Sequence, residues 1–288
     1  MPSTYAHYRM GQEVALRVPK WKKNIIDKNK ELFNIGLHGP DILFYYHPLA
    51  SNRVNEIGYR MHEHSGSEFF EEAAKVIREK DHDARSLAYV YGFICHFALD
   101  TTCHGYIDDK IAESGVSHAE IEVEFDRNLM LEDGYDPITH KLTKHIVPSE
   151  SNAEIIAPFF ATTTPDEVQE ALREMIRYND LLIAPSKIKR KLIYALLRIS
   201  GNYKEMHGLL VNYVANPECE DSTRILRQLY DIALERAVKL ISEYDKYLIG
   251  EQRLDPIYHY TFGGKELGKE EFAYEVQNNL GRKKLDTV

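Results

Sequence analysis

Residues 87–100 read Leu-Ala-Tyr-Val-Tyr-Gly-Phe-Ile-Cys-His-Phe-Ala-Leu-Asp and are the most apolar stretch of the chain. The run from Leu87 to Leu99 is too short to cross a membrane, which takes about 20 residues. It therefore predicts a buried core helix, beginning at Asp83 and running through Asp100. An ionised carboxylate inside such a helix is costly unless it is paired or bound to a cation. His96 and Asp100, one turn apart in this helix, therefore favour a metal site.

The chain on either side of this helix is predicted to form further helices. They are expected over residues 21–35, 67–80, 117–132, 164–182, 186–199 and 221–247. Ser117 followed by Glu120 is a capping box, and Thr164-Pro165-Asp166-Glu167 is a strong helix start. Gly (16) and Pro (11) are sparse, which argues against a sandwich or barrel rich in tight turns. We predict one all-α domain over residues 1–263 and a charged peripheral tail over residues 264–288.

Composition excludes several classes of protein. Acidic residues outnumber basic ones by 45 to 36, giving a net charge of −9, which argues against a partner of duplex nucleic acid. The three cysteines cannot form a disulfide framework, and the first residues lack an apolar signal segment. We therefore expect a cytoplasmic protein without a transmembrane segment.

Histidine is concentrated in the first part of the chain, where nine of the 13 lie at or before His118. His118/Glu122 repeats the four-residue spacing of His96/Asp100, and His104 follows Asp100 at the same interval. Side chains four residues apart lie on one helix face and can reach a common ion. For any single pair, a surface ion pair is the more common explanation. Motifs for a serine nucleophile, a phosphate-binding glycine loop and Cys-x-x-Cys are absent from the sequence.

Taken in order, these residues resemble the zinc-dependent phospholipase C family, which is similar in turn to the fungal single-strand nucleases with three zinc ions. The resemblance rests on the ordered set His7, Gly39-Pro40-Asp41, Met61-His62, His96-x3-Asp100-x3-His104 and His118-x3-Glu122. It covers residues 1–126 and is weak beyond them. No single motif in the set is specific by itself.

The resemblance implies that the domain packs around a metal cluster, and it implies the ligands of each ion. One metal would be bound by Asp41, His62, His96 and Asp100, and a second by His104, His118 and Glu122. A third would be bound by His7, by Asp100 as a bridging carboxylate, and by the terminal amine and carbonyl of Pro2 once Met1 is removed. His64 is an alternative to His62, because both lie in Met61-His62-Glu63-His64.

The activity implied is hydrolysis of a phosphate ester by metal-activated water, as in a phospholipase C-like phosphodiesterase. Asp41 would take the proton from the water. Histidine nitrogens and carboxylate oxygens suit two or three Zn²⁺ ions, and would also suit Mn²⁺ or Fe²⁺. The substrate would be a small phosphate ester or a phospholipid, although Ile42 stands where relatives acting on phosphatidylcholine carry an aromatic residue. The alternatives are a single-strand nuclease or nucleotidase, and a non-catalytic helical protein stabilised by metal.

Overall fold

The structure, a computed structural model, describes residues 4–265 and within them contains twelve α-helices, short 3₁₀ helices and no strand. The α-helices are α1 (Thr4–Arg17), α2 (Lys20–Lys28), α3 (Lys30–Gly36), α4 (Arg53–Glu63), α5 (Gly66–Glu79), α6 (Ala84–Ser114), α7 (His118–Glu132), α8 (Glu150–Ile156), α9 (Pro165–Leu182), α10 (Lys187–Ile199), α11 (Tyr203–Met206) and α12 (Glu220–Leu248). The 3₁₀ helices are Gly39–Tyr45, Ala157–Phe159, His207–Leu209, Pro217–Cys219 and Pro256–His259. The predicted all-α class is confirmed.

Helix α6 is the buried centre of this fold, as the apolar run predicts. Its residues from Ser86 through His104 are all buried, and α3 and α12 pack against it. The contact with α3 brings the two backbones together at Gly36 and Gly92. A Cβ at Gly92 would lie 2.2 Å from the carbonyl oxygen of Phe33, so only glycine allows this approach.

The end of α6 differs from the prediction, because the helix continues past Asp100 to Ser114. The hydroxyl of Thr101 donates to the carbonyl of Phe97 at 2.7 Å, and Thr102 donates to that of Ala98 at 2.6 Å. These bonds accommodate the two threonines inside the helix. The helix ends at Gly115, whose φ of 71° is the left-handed conformation of a C-cap. His104 consequently lies on the same continuous helix as His96.

Other differences concern the first 50 residues. The helix predicted over residues 21–35 is broken at Asn29 into α2 and α3. The segment 36–48, predicted as a loop, contains the 3₁₀ helix Gly39–Tyr45. Helix α1 was not predicted at all. Its first turn is held by a residue far along the chain, so the local sequence gives little indication that a helix forms there.

Polar groups at the far side of α6 tie it to α2 and α12. The Tyr91 hydroxyl donates to Asp245 at 2.7 Å, and the buried Lys22 ammonium donates to the carbonyl of Ile241 at 2.9 Å and pairs with Asp245. Buried groups satisfied in this way fix the position of α12 without leaving an unpaired charge. None of the helices between residues 4 and 265 has the length and apolarity needed to cross a lipid bilayer. Of the predicted tail, residues 266–288 lie outside the described residues.

Candidate metal centre

The structure brings eight of the nine predicted ligands together beside the middle of α6. They form three groups whose ligand atoms lie within 4.8 Å of one another: His7, His96 and Asp100; Asp41, His62 and His96; and His104, His118 and Glu122. Because His96 belongs to two groups, these two adjoin each other. The remaining predicted ligand, Pro2, lies outside the described residues.

Asp100 joins the groups along α6. Its Oδ1 lies 3.2 Å from Nε2 of His7, whereas its Oδ2 lies 3.2 Å from Nε2 of His96 and 3.8 Å from Nδ1 of His104. The imidazoles of His7 and His96 are stacked, with ring centroids 4.4 Å apart. The two oxygens of the carboxylate therefore face different imidazoles, Oδ1 that of His7 and Oδ2 those of His96 and His104.

The 3₁₀ helix and α4 bring Asp41 and His62 to the opposite side of His96. Nε2 of His62 lies 3.1 Å from Oδ1 of Asp41. Its Nδ1 lies 2.8 Å from the carbonyl oxygen of Gly58, a bond in which Nδ1 is the donor, so the Nε2 lone pair is directed at the group. His64 instead points to the surface, where it pairs with Glu68 at 3.1 Å. Of the two candidates, the structure places His62 beside Asp41.

Glycine at position 39 is required for this arrangement. Gly39 has a φ of 48°, and a Cβ built there would lie 2.2 Å from Cδ2 of His96. The first turn of the 3₁₀ helix can therefore rest directly on the imidazole, which places Asp41 two residues later at the edge of the group.

The third group lies where α6 meets the start of α7. The capping box of Ser117 and Glu120 fixes the first turn of α7, as predicted, and so orients His118. Nε2 of His118 lies 3.0 Å from Oε2 of Glu122, and Nε2 of His104 lies 3.5 Å from Oε1. The His118 side chain is 38% exposed, so this group is accessible to solvent.

The chemistry of these atoms fits a cluster of divalent metal ions. Among the described residues, Nδ1 of His7 and Nδ1 of the fully buried His96 lack a hydrogen-bond partner. A buried polar atom left unsatisfied costs about 1–3 kcal/mol. A cavity of about 10 Å³ lies between His7, Asp100, His104 and Glu122, which is the space of about one water molecule. Nitrogen and carboxylate donors without a thiolate suit Zn²⁺.

The electrostatics of the centre also favour a cation. Burial by itself raises the pKa of the Asp100 carboxyl, but His96, His104 and His7 more than offset this effect and hold its pKa well below the ordinary value. Burial lowers the pKa of His104, yet Asp100 and Glu122 raise it to about 9. The carboxylates that retain a proton on His104 would equally stabilise a divalent ion in its place.

Two residues that support the centre were missed in the sequence. Asp126 accepts hydrogen bonds from the backbone nitrogens of Tyr5 (2.9 Å) and Ala6 (2.8 Å), and thereby holds the first turn of α1 with His7 at the centre. The sequence does contain an indication of this role, because Asp126 continues the four-residue spacing of His118 and Glu122. Phe262, whose carbonyl accepts from Nδ1 of His104 at 3.0 Å, had none.

His38 is a satisfied loop histidine and not a member of the three groups. Its Nε2 lies 2.7 Å from Nε2 of His145, so one ring donates to the other. Burial lowers the pKa of His145 to about 3 and holds that of His38 well below its ordinary value, so neither ring carries a charge. The loop over residues 134–150 thereby packs against the 3₁₀ helix that carries Asp41.

Replacing Asp126 by alanine is expected to release the first turn of α1 and weaken binding at His7. Loss of a helix-capping carboxylate costs about 1–2 kcal/mol. We expect Asp126→Ala to lose one metal ion per chain while the groups built on His62 and His118 keep theirs. Asp133→Ala is the matched control, since Asp133 contacts α1 through the side chains of Tyr5 (2.6 Å) and Arg9 (3.1 Å) and accepts no bond from the backbone of its first turn. Equal metal content in the two variants and the parent protein would argue against this role.

Comparison with known proteins points to one family. The family model described as zinc dependent phospholipase C matches residues 6–173. The matched range contains all eight described candidate ligands, from His7 to Glu122, and extends beyond the residues 1–126 over which the resemblance was recognised. Neither a curated protein nor a solved structure matches the chain significantly.

Proposed function

The chain belongs to the zinc-dependent phospholipase C family, and on this premise we propose that it is a metal-dependent phosphodiesterase of the phospholipase C type. The observation that carries the proposal is the meeting of three candidate ligand groups beside the middle of α6. Two of them share His96, and the two oxygens of Asp100 face the imidazoles of His7 and His96. Adjoining sites of this kind are typical of enzymes that cleave phosphate esters.

The proposed ligands follow the three groups. Asp41, His62, His96 and Asp100 would hold one ion; His104, His118 and Glu122 a second; His7 and Asp100 a third, together with the terminal amine of Pro2. Bound divalent ions lower the pKa of water towards 7 and polarise a phosphoryl oxygen. We assign the catalytic role to Asp41, which accepts the proton released when water attacks phosphorus. Asp41 is 8% exposed and lies beside His62, whose side chain is 23% exposed.

The substrate proposed is a phosphate diester whose headgroup is not choline. An aromatic cage for a quaternary ammonium needs exposed ring faces. Tyr89 and Tyr91 are fully buried in the core, and the Tyr45 hydroxyl is engaged at 3.1 Å by the amide of Asn179. Ile42 is also fully buried, so the position next to Asp41 offers no ring.

A substrate panel tests this proposal. The metal-loaded protein is assayed on bis-p-nitrophenyl phosphate, p-nitrophenyl phosphate, phosphatidylglycerol, phosphatidylcholine and single-stranded DNA. We expect hydrolysis of diesters, with phosphatidylglycerol cleaved to diacylglycerol faster than phosphatidylcholine. Asp41→Asn should lower kcat by about 100-fold or more, whereas Asp27→Asn, which alters only a surface pair with Lys23, should not. A fully metal-loaded protein that cleaves none of these compounds would overturn the proposal and favour a structural role for the metal.

A further inference from the structure

Helix α10 carries an apolar face that the described part of the protein leaves uncovered. Ile188, Leu192, Leu196 and Ile199 are 73%, 62%, 65% and 84% exposed. Their spacing of four, four and three residues places them on one side of the helix, and we call this set the α10 stripe. Arg190 is the only residue of α10 that is buried. A continuous exposed apolar surface of this kind marks a binding site more often than chance.

Positive charge surrounds the α10 stripe, although the protein as a whole is acidic. Between Asp180 and Glu205 the sequence contains six basic residues and no acidic one, whereas the whole chain has a net charge of −9. Lys187 and Lys191 are exposed and border the stripe one turn apart. The stripe is thus an apolar face with a cationic edge.

The apolar stripe and its cationic edge together favour a lipid membrane over a nucleic acid as the partner. A nucleic acid would be met by basic and polar side chains, with aromatic rings for stacking, and not by a row of aliphatic residues. An amphipathic helix with aliphatic residues on one face and lysines beside it is typical of helices that lie in the surface of an anionic bilayer. We propose that α10 binds an anionic lipid membrane, with the α10 stripe inserted at the boundary of headgroups and acyl chains.

Helix α10 is joined through α9 to the 3₁₀ helix of the metal centre. The Lys189 ammonium donates to the carbonyl of Ile183 at 2.6 Å, which fixes the start of α10 to the end of α9. Helix α9 packs against the 3₁₀ helix Gly39–Tyr45, where Asn179 donates to the Tyr45 hydroxyl. The membrane contact stands independently of the proposed function. Only its use, which is to deliver phospholipid to the centre, rests on that function.

Vesicle sedimentation tests the contact directly. The protein is mixed with vesicles of phosphatidylcholine alone, or of equal parts phosphatidylcholine and phosphatidylglycerol. We expect binding to the anionic vesicles only, weakened by salt. The double variant Leu192→Glu/Leu196→Glu should bind at least about tenfold more weakly, because each change removes apolar burial and adds like charge to the lipid. Leu16→Glu, at a residue of α1 that is 74% exposed, is the matched control and should bind normally.

The charged edge has its own pair of variants. Lys187→Glu/Lys191→Glu should lose binding to anionic vesicles, whereas Lys28→Glu/Lys30→Glu, a matched exchange of exposed lysines near α2, should retain it. Insertion is measured separately. Trp21→Phe removes the single tryptophan, and Leu196→Trp then places one in the stripe. The fluorescence of this tryptophan should be quenched by brominated lipid. This measurement does not depend on a loss of binding in any variant.

Several results would overturn the inference. Equal vesicle binding by the stripe variant and the parent protein would do so, as would a dimer that Leu192→Glu dissociates without any vesicle binding. Binding of single-stranded DNA that requires Lys187 and Lys191 would assign the surface to nucleic acid instead. The Asp100→Asn variant distinguishes failure of the membrane inference from failure of the proposed function. It should still bind anionic vesicles, even if no phosphodiesterase activity is ever found.

Discussion

Asp100→Asn is expected to lose bound metal and to reduce phosphodiesterase activity by at least about 100-fold. The two carboxylate oxygens of Asp100 each lie 3.2 Å from a different imidazole nitrogen, that of His7 and that of His96. An amide presents one oxygen and no negative charge, so it cannot replace both carboxylate oxygens. Metal analysis of the purified variant and its rate on bis-p-nitrophenyl phosphate give the two readouts.

The controls for Asp100 are two carboxylates that each follow a histidine by four residues, as Asp100 does, but form their ion pairs at the surface. Glu68 pairs with the exposed His64, and Asp108 lies 3.6 Å from the Lys265 ammonium. Glu68→Gln and Asp108→Asn should therefore keep the metal content and the rate of the parent protein. If all three variants retained equal metal, the bridging role of Asp100 would be wrong.

Removal of metal is expected to lower the melting temperature by more than about 10 °C. Three buried carboxylates, those of Asp41, Asp100 and Glu122, lie close together in the core, and divalent ions would neutralise them. Without ions, the fold retains buried charges that only the histidines offset. Thermal unfolding is followed with excess chelator, and again after zinc is restored.

Two outcomes of this experiment are informative. The Asp100→Asn variant should show a smaller shift with chelator than the parent protein, because it has fewer ions to lose. A melting curve of the parent protein that chelator leaves unchanged, with metal shown to be removed, would mean that the cluster does not stabilise the fold.

The parts of the centre that lie on single helices could be predicted from the sequence. His96 and Asp100 are one turn apart in an apolar run, so their placement on one face of α6 follows from helix geometry alone. The same reasoning placed His118 with Glu122 on α7. The meeting of α6 with Asp41 and His62 did not follow from spacing, and was expected only from the resemblance to the family.

Supporting contacts that join distant parts of the chain could not be predicted in this way. Phe262 reaches the centre because the segment after α12 returns to pair with Ser65, and its ring packs 5.8 Å from that of His96. Nothing local to Phe262 indicates this path. For α10 the sequence predicted the helix over residues 186–199, but amphipathic spacing cannot tell which face other helices cover. The exposure of Leu192 is information that only the structure supplies.

Some expectations from the sequence stay predictions. The domain limits at residues 263 and 264, the cytoplasmic location and the ligand role of Pro2 are among them. The role of Pro2 is open to a simple test, since a retained Met1 or an uncleaved tag converts its amine to an amide and should weaken only the ion at His7.

Anomalous diffraction at the zinc edge, from crystals of the protein as purified, locates the bound ions directly. We expect zinc peaks about 2.0–2.3 Å from the side chains of each group. One peak should lie between Asp41, His62 and His96, a second between His104, His118 and Glu122, and a third between His7 and Asp100. If the protein carries stoichiometric zinc but the peaks lie at other positions, and no density is found at these three groups, then the groups are not the zinc site.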